Sequence, residues 1–189
     1  VDGPLPGEVA YISWWQRIGE PVPTMADIVR VVTGTEATLI VGALPAAWLI
    51  RTHGPRGAVA VLIVVAAMLI VQPVSKELID RDRPNEEQVD VRAENTSRSY
   101  PSGHSLSTTA AWGTAALYAW RRGHRGQSAV FVVPIALTGV ASTVQGVHWV
   151  SDAVAGTIIG GLAAWLAIEA LRLEPAGPGG NRAVPSSAQ

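Results

Sequence analysis

The chain has 189 residues, 48% of them hydrophobic and only 15% charged, with a formal net charge of −1. That charged share lies well below the roughly 25% of soluble domains, so lipid is the expected surrounding for much of the surface. The near-neutral charge excludes a nucleic-acid binder, and the absence of cysteine excludes disulfides, zinc–thiolate sites and thiol nucleophiles.

In chain order, residues 1–34 carry Trp14, Trp15 and Arg17 and read as an interfacial N-terminal helix on the outer face. Residues 37–50 form a short apolar stretch, and residues 57–75 (GAVAVLIVVAAMLIVQPVS) are uncharged and long enough to cross the roughly 30 Å of hydrocarbon as a helix. A polar loop follows, opening with KELIDRDRP from Lys76 to Pro84 and closing with YPSGHS from Tyr100 to Ser105. The acids between them do not follow the spacing of a calcium-binding loop and read as a solvated outer loop. Residues 105–120, 126–147 and 153–168 complete the apolar series, with GVHWVSD from Gly146 to Asp152 before the last of them. Gly156 and Gly160 give that last stretch the GxxxG spacing of close helix packing, expected within the bundle rather than between copies. The tail 173–189, rich in Pro, Gly and Ser, is expected to be disordered and cytoplasmic.

These elements predict an all-α, polytopic membrane bundle of about five spanning helices over 35–172. The alternative, a soluble helical bundle with apolar core helices, is disfavoured by the spacing of charge. Arg51 and Arg56 sit in one short connection, Arg121, Arg122 and Arg125 in another, and Arg172 follows the last span. The positive-inside rule makes that side cytoplasmic and puts the three polar stretches on the extracytoplasmic face of the cell membrane. Ionisable groups at the ends of spans are costly and mark a functional site by default. Here they include the chain's single lysine, Lys76, with arginines and two histidines. Cations that hold a phosphate, a Gly-containing turn that opens a helix and imidazoles that carry protons or a phosphoryl group form an inventory for phosphoryl transfer.

Lys76 and Arg83-Pro84 spaced as K-x6-R-P, then Pro101-Ser102-Gly103-His104 and His148-x3-Asp152, resemble the type 2 phosphatidic acid phosphatase (PAP2) family. The likeness covers about residues 35–172 and implies a membrane lipid phosphate phosphatase, a family fold of six spans and a site facing outward. It implies that His148 attacks phosphorus, that Asp152 orients His148, and that His104 serves as general acid and then base. Lys76, Arg83, Ser102 and the Gly103 amide would hold the phosphate oxygens, with no metal and no cofactor. The third family motif carries an Arg six residues before its His, and here that position is Ser142. Arg98 and Arg81 are the cations expected to replace it. The substrate set is polyprenyl phosphate or diphosphate, phosphatidic acid and phosphatidylglycerol phosphate, with a polyprenyl carrier favoured by topology. Two alternatives stay open, a catalytically weakened lipid-headgroup binder and a phosphotransferase using the same His. The Arg, Ala, Gly and Val bias suggests a bacterial source, and the sequence carries no sign of oligomeric state.

Overall fold

The computed structural model describes residues 3–93 and 96–172, so the expected disordered tail lies outside the described residues. Among these the regular structure is helical: α1 (Glu8–Gln16), α2 (Val22–Val32), α3 (Thr35–His53), α4 (Pro55–Ala66), α5 (Gln72–Leu78), α6 (Gly103–Arg121), α7 (Arg125–Val144) and α8 (Val150–Leu171). Gly54, at φ 55°, breaks the chain between α3 and α4, and Pro55 opens α4 in the first turn, where its missing N–H costs nothing. A π-helical turn over Ala67–Val71 joins α4 to α5. Pro73 is the second residue after it. The wider turn takes up the ring and the missing donor, so Pro55–Leu78 runs on as one rod.

Among the described residues, three helices are long and apolar enough to cross a membrane: Pro55–Leu78, Arg125–Val144 and Val150–Leu171. A fourth span arises if α2 and α3, bent by 47° at their junction, act as one broken crossing. Length and apolar composition thus mark three or four of the about five spans expected. The difference is α6, whose inward positions are Ser105, Ser107, Thr108, Thr109 and Thr114 and which sits among α4, α7 and α8. A helix shielded by its neighbours needs no apolar surface of its own.

Small residues set that packing. A β-carbon at Gly156 would lie 2.5 Å from the carbonyl oxygen of Ser102, and one at Gly160 would lie 2.4 Å from that of Leu106. The GxxxG pair therefore seats α8 on α6 inside the bundle. The two ends of the bundle differ in chemistry. At one end Arg121 bonds Glu169 at 2.5 Å, and His53 Nε2 lies 3.3 Å from Tyr118 Oη, joining the tips of α3, α6 and α8. At the other, the Ser102 N–H donates to the Asp152 carbonyl at 3.0 Å and brings together the starts of α6 and α8.

The N-terminal segment is more than an interfacial stretch. Trp14 is exposed as expected, but Ile12 of α1 packs with Val89 and Trp149 beside the polar end. Ala26 and Val29 of α2 pack on Val140, Ala141 and Val144 of α7. Gln16 fixes this arrangement by donating to the carbonyls of Asp90 (2.7 Å) and Val144 (2.8 Å).

Candidate active site

The loop between α5 and α6 and the short turn between α7 and α8 bring the three polar stretches together. His148, in that turn, is 3% exposed. Its Nε2 faces Arg83 Nη1 at 3.3 Å, and its Nδ1 faces Asp152 Oδ2 at 3.8 Å, within ion-pair range but longer than a hydrogen bond. The two ring nitrogens thus have different surroundings, one cationic and one anionic. Burial drives the His148 pKa down to about 4, against the pull of Asp152, so the imidazole is neutral at ordinary pH.

Asp152 is fully buried, and both its oxygens are engaged. Oδ2 accepts from the Ser99 hydroxyl at 2.5 Å and from the Trp149 N–H at 3.0 Å, which also caps the start of α8. Oδ1 accepts from Arg81 Nη1 at 2.6 Å. Arg81 also bonds Ser151 Oγ at 2.6 Å, and through Nη2 the Gly3 carbonyl and Glu8 Oε2, each at 3.0 Å. Both terminal nitrogens are thereby committed to the support of Asp152, not to a phosphate. Arg81, expected as a phosphate-binding cation, stands beside Asp152 in this structure.

Glu8, which sequence reasoning did not select, closes this network from α1. It accepts from the Ser151 N–H and hydroxyl, both at 2.7 Å, and from the Leu5 N–H at 2.6 Å. Burial alone would raise its pKa, but these donors and Arg81 outweigh it and hold the carboxyl below its ordinary value. Nothing local in the sequence distinguishes Glu8 from a solvated acid.

Lys76 and Arg83 converge on one strip of the loop. The Lys76 ammonium bonds Ser97 Oγ at 3.3 Å and the Arg98 carbonyl. Arg83 bonds the Ser97 carbonyl (2.7 Å), Ser97 Oγ (3.1 Å), the Arg98 carbonyl (3.3 Å) and the Val147 carbonyl. Burial lowers the Arg83 pKa to about 10; Asp152 opposes that shift and the positive charge of Arg30 adds to it. Arg98 contributes its carbonyl, while its guanidinium pairs with Asp80 and, at 2.9 Å, with Asp82 on the exposed side. Arg98, expected to supply part of the missing charge, thus has its guanidinium paired with these two aspartates. Ser142 is buried and bonds the Thr138 carbonyl at 2.8 Å, so position 142 supplies no donor to the cluster.

Ser102 caps α6, its hydroxyl accepting from the Ser105 N–H at 3.4 Å. At Gly103 a β-carbon would meet Gln72 Nε2 at 2.7 Å, so the glycine leaves room for that side chain over the first turn of α6. His104 stands in the same turn and is half-buried, bordering a cavity of about 550 Å³. A second cleft of about 580 Å³ opens beside Lys76, Ser97 and Arg98. An apolar cavity of about 360 Å³, walled by Trp48, Trp112, Tyr118 and Phe131, touches none of these residues.

Comparison with known proteins agrees with this fold. The chain is similar to the crystal structure of a transmembrane PAP2-type phosphatidylglycerolphosphate phosphatase from Bacillus subtilis, with a TM-score of 0.75 and 20% identity over 86% of this chain and 83% of that one. No curated protein matches the chain. The PAP2 superfamily profile matches residues 57–174, a segment that holds all three polar stretches, and the chain therefore belongs to the PAP2 superfamily.

Proposed function

We propose that the protein hydrolyses a lipid phosphate monoester or diphosphate at the extracytoplasmic membrane face, through a phosphohistidine formed on His148. The observation that carries this reading is the asymmetry around that ring, with Nε2 toward Arg83 and Nδ1 toward Asp152. A neutral imidazole held this way presents its lone pair where Arg83 and Lys76 draw in phosphate oxygens.

In the first step Nε2 bonds to phosphorus, the bond from phosphorus to the lipid oxygen breaks, and His104, protonated as the phosphate dianion binds beside it, gives that oxygen a proton. In the second a water oxygen attacks phosphorus, His104 takes the water's proton, and the phosphorus–nitrogen bond breaks. Inorganic phosphate leaves and His148 is neutral again. Asp152, braced by Ser99 and Arg81, stabilises the positive charge that develops on the ring. No step calls for a metal or a cofactor.

A polyprenyl phosphate carrier suits an outward-facing site. Phosphatidylglycerol phosphate is the second reading, favoured by the fold shared with the Bacillus subtilis enzyme. Phosphate release from a panel of purified lipid phosphates, with His148→Ala as control, tests both. A product carrying the phosphoryl group on an added alcohol would reveal a phosphotransferase, and tight lipid binding without release would reveal a headgroup binder.

A further inference from the structure

Arg30 lies in the last turn of α2, outside the matched segment, and lines a cavity together with His104. The Thr33 carbonyl, just beyond α2, accepts from Thr108 Oγ1 at 2.9 Å and so ties this end of α2 to α6 one turn beyond His104. A β-carbon at Gly34 would lie 3.2 Å from the Arg30 carbonyl oxygen and 3.6 Å from His104 Nε2, so a single glycine separates the end of α2 from that ring. Arg30 and His104 line the same cavity of about 550 Å³, and Arg30 lies within electrostatic reach of both His104 and Arg83. Among the described residues Arg30 makes no hydrogen bond or ion pair, although Glu36 borders the same cavity. Arg81 and Arg98, by contrast, are both paired with carboxylates.

The other wall of the cavity is apolar. Val31 and Ile40, which line it with Ala37, stand 74% and 75% exposed. A cation beside a general acid, with an apolar rim open to the surroundings, matches an amphiphile whose phosphate lies inward and whose chain lies outward.

We propose that Arg30 is a third substrate-binding cation, receiving the phosphate of a lipid that enters between the ends of α2 and α3. The inference rests on the lipid phosphate reading above and extends it by naming the entry and the residue that selects the charge. Arg30 acts on binding, because it borders the cavity at His104 and makes no contact with His148. A charge-assisted hydrogen bond to phosphate is worth about 1.5–3 kcal/mol, so its loss weakens binding about tenfold or more.

The test measures affinity for a short-chain phosphatidic acid in detergent, in a His148→Ala background that prevents turnover. Arg30→Gln is expected to weaken binding about tenfold, Arg30→Lys to recover most of it, and the exposed Arg17→Gln to change nothing. Recovery by Lys separates a charge effect from misfolding. Unchanged affinity in Arg30→Gln overturns the inference, as does an equal loss in Arg17→Gln. If Arg30→Gln loses affinity but the protein with His148 intact releases no phosphate from any lipid, the phosphatase reading falls and Arg30 stands as a headgroup-binding residue.

Discussion

Arg81 Nη1 and Asp152 Oδ1 are 2.6 Å apart, with side chains 5% and 0% exposed. On its far side Arg81 meets Glu8 at 3.0 Å, so one buried guanidinium lies between two carboxylates contributed by α1 and α8. The chain of contacts runs from an N-terminal helix to the residue facing the His148 ring. It explains why α1 belongs to the working structure.

Arg81→Met leaves both carboxylates buried without their cation. Removing one partner of a buried ion pair costs about 3–5 kcal/mol, and thermal unfolding in detergent should show a loss of that order. Activity should fall more than tenfold. Glu8→Gln should be milder, because the amide oxygen still accepts from Ser151.

The His148 pKa of about 4 sets two pH dependences. The acid limb of kcat/KM should have its midpoint near pH 4 rather than near 6.5, since protonation removes the nucleophile. For stability the sign follows from proton uptake. The unfolded chain binds a proton at this position as pH falls through about 6.5, and the folded chain does so only near 4. The stabilisation is therefore complete above 6.5 and declines as pH falls to about 4, by on the order of 3 kcal/mol. Acid unfolding followed by tryptophan fluorescence checks this part.

Much of the site was legible because its residues lie at the ends of apolar runs. Lys76, Arg83, His104, His148 and Asp152 stand out against hydrophobic sequence, and the fold gathers them at one end. Glu8 and Arg30 were not legible. Each is one charged residue in a segment whose position depends on long-range packing, Ile12 on Trp149 and Ala26 on α7. The same limit explains why α6 falls short on apolar composition, since hydropathy does not reveal that neighbouring helices cover its Ser and Thr positions. For a related reason, closeness in sequence to the His104 turn did not reveal that the Arg98 guanidinium pairs with two nearby aspartates.

Gly156→Ala and Gly160→Ala test the packing of α8 on α6. Each new methyl meets a carbonyl oxygen of α6 or its cap, and overpacking of this kind costs about 1–3 kcal/mol. Both variants should unfold earlier. Gly156→Ala should also lose activity out of proportion to its stability, because it presses on Ser102 at the start of the helix that carries His104.

His104→Ala should slow hydrolysis by about two to four orders of magnitude, the usual contribution of a positioned general acid–base. A substrate whose leaving group needs no proton should recover the first step in this variant, seen as a burst of leaving group followed by slow turnover. Prolonged chelation with EDTA should leave the rate of wild-type protein unchanged, as measured by phosphate release.

The central claim is that His148 carries the phosphoryl group. Rapid quench of the protein with a radiolabelled lipid phosphate, followed by peptide mapping under alkaline conditions that preserve phosphohistidine, tests it most directly. The account predicts label on the peptide containing His148, lost on mild acid treatment and absent from His148→Ala, which also releases no phosphate. Label on another residue, or phosphate release by His148→Ala at the wild-type rate, would contradict it.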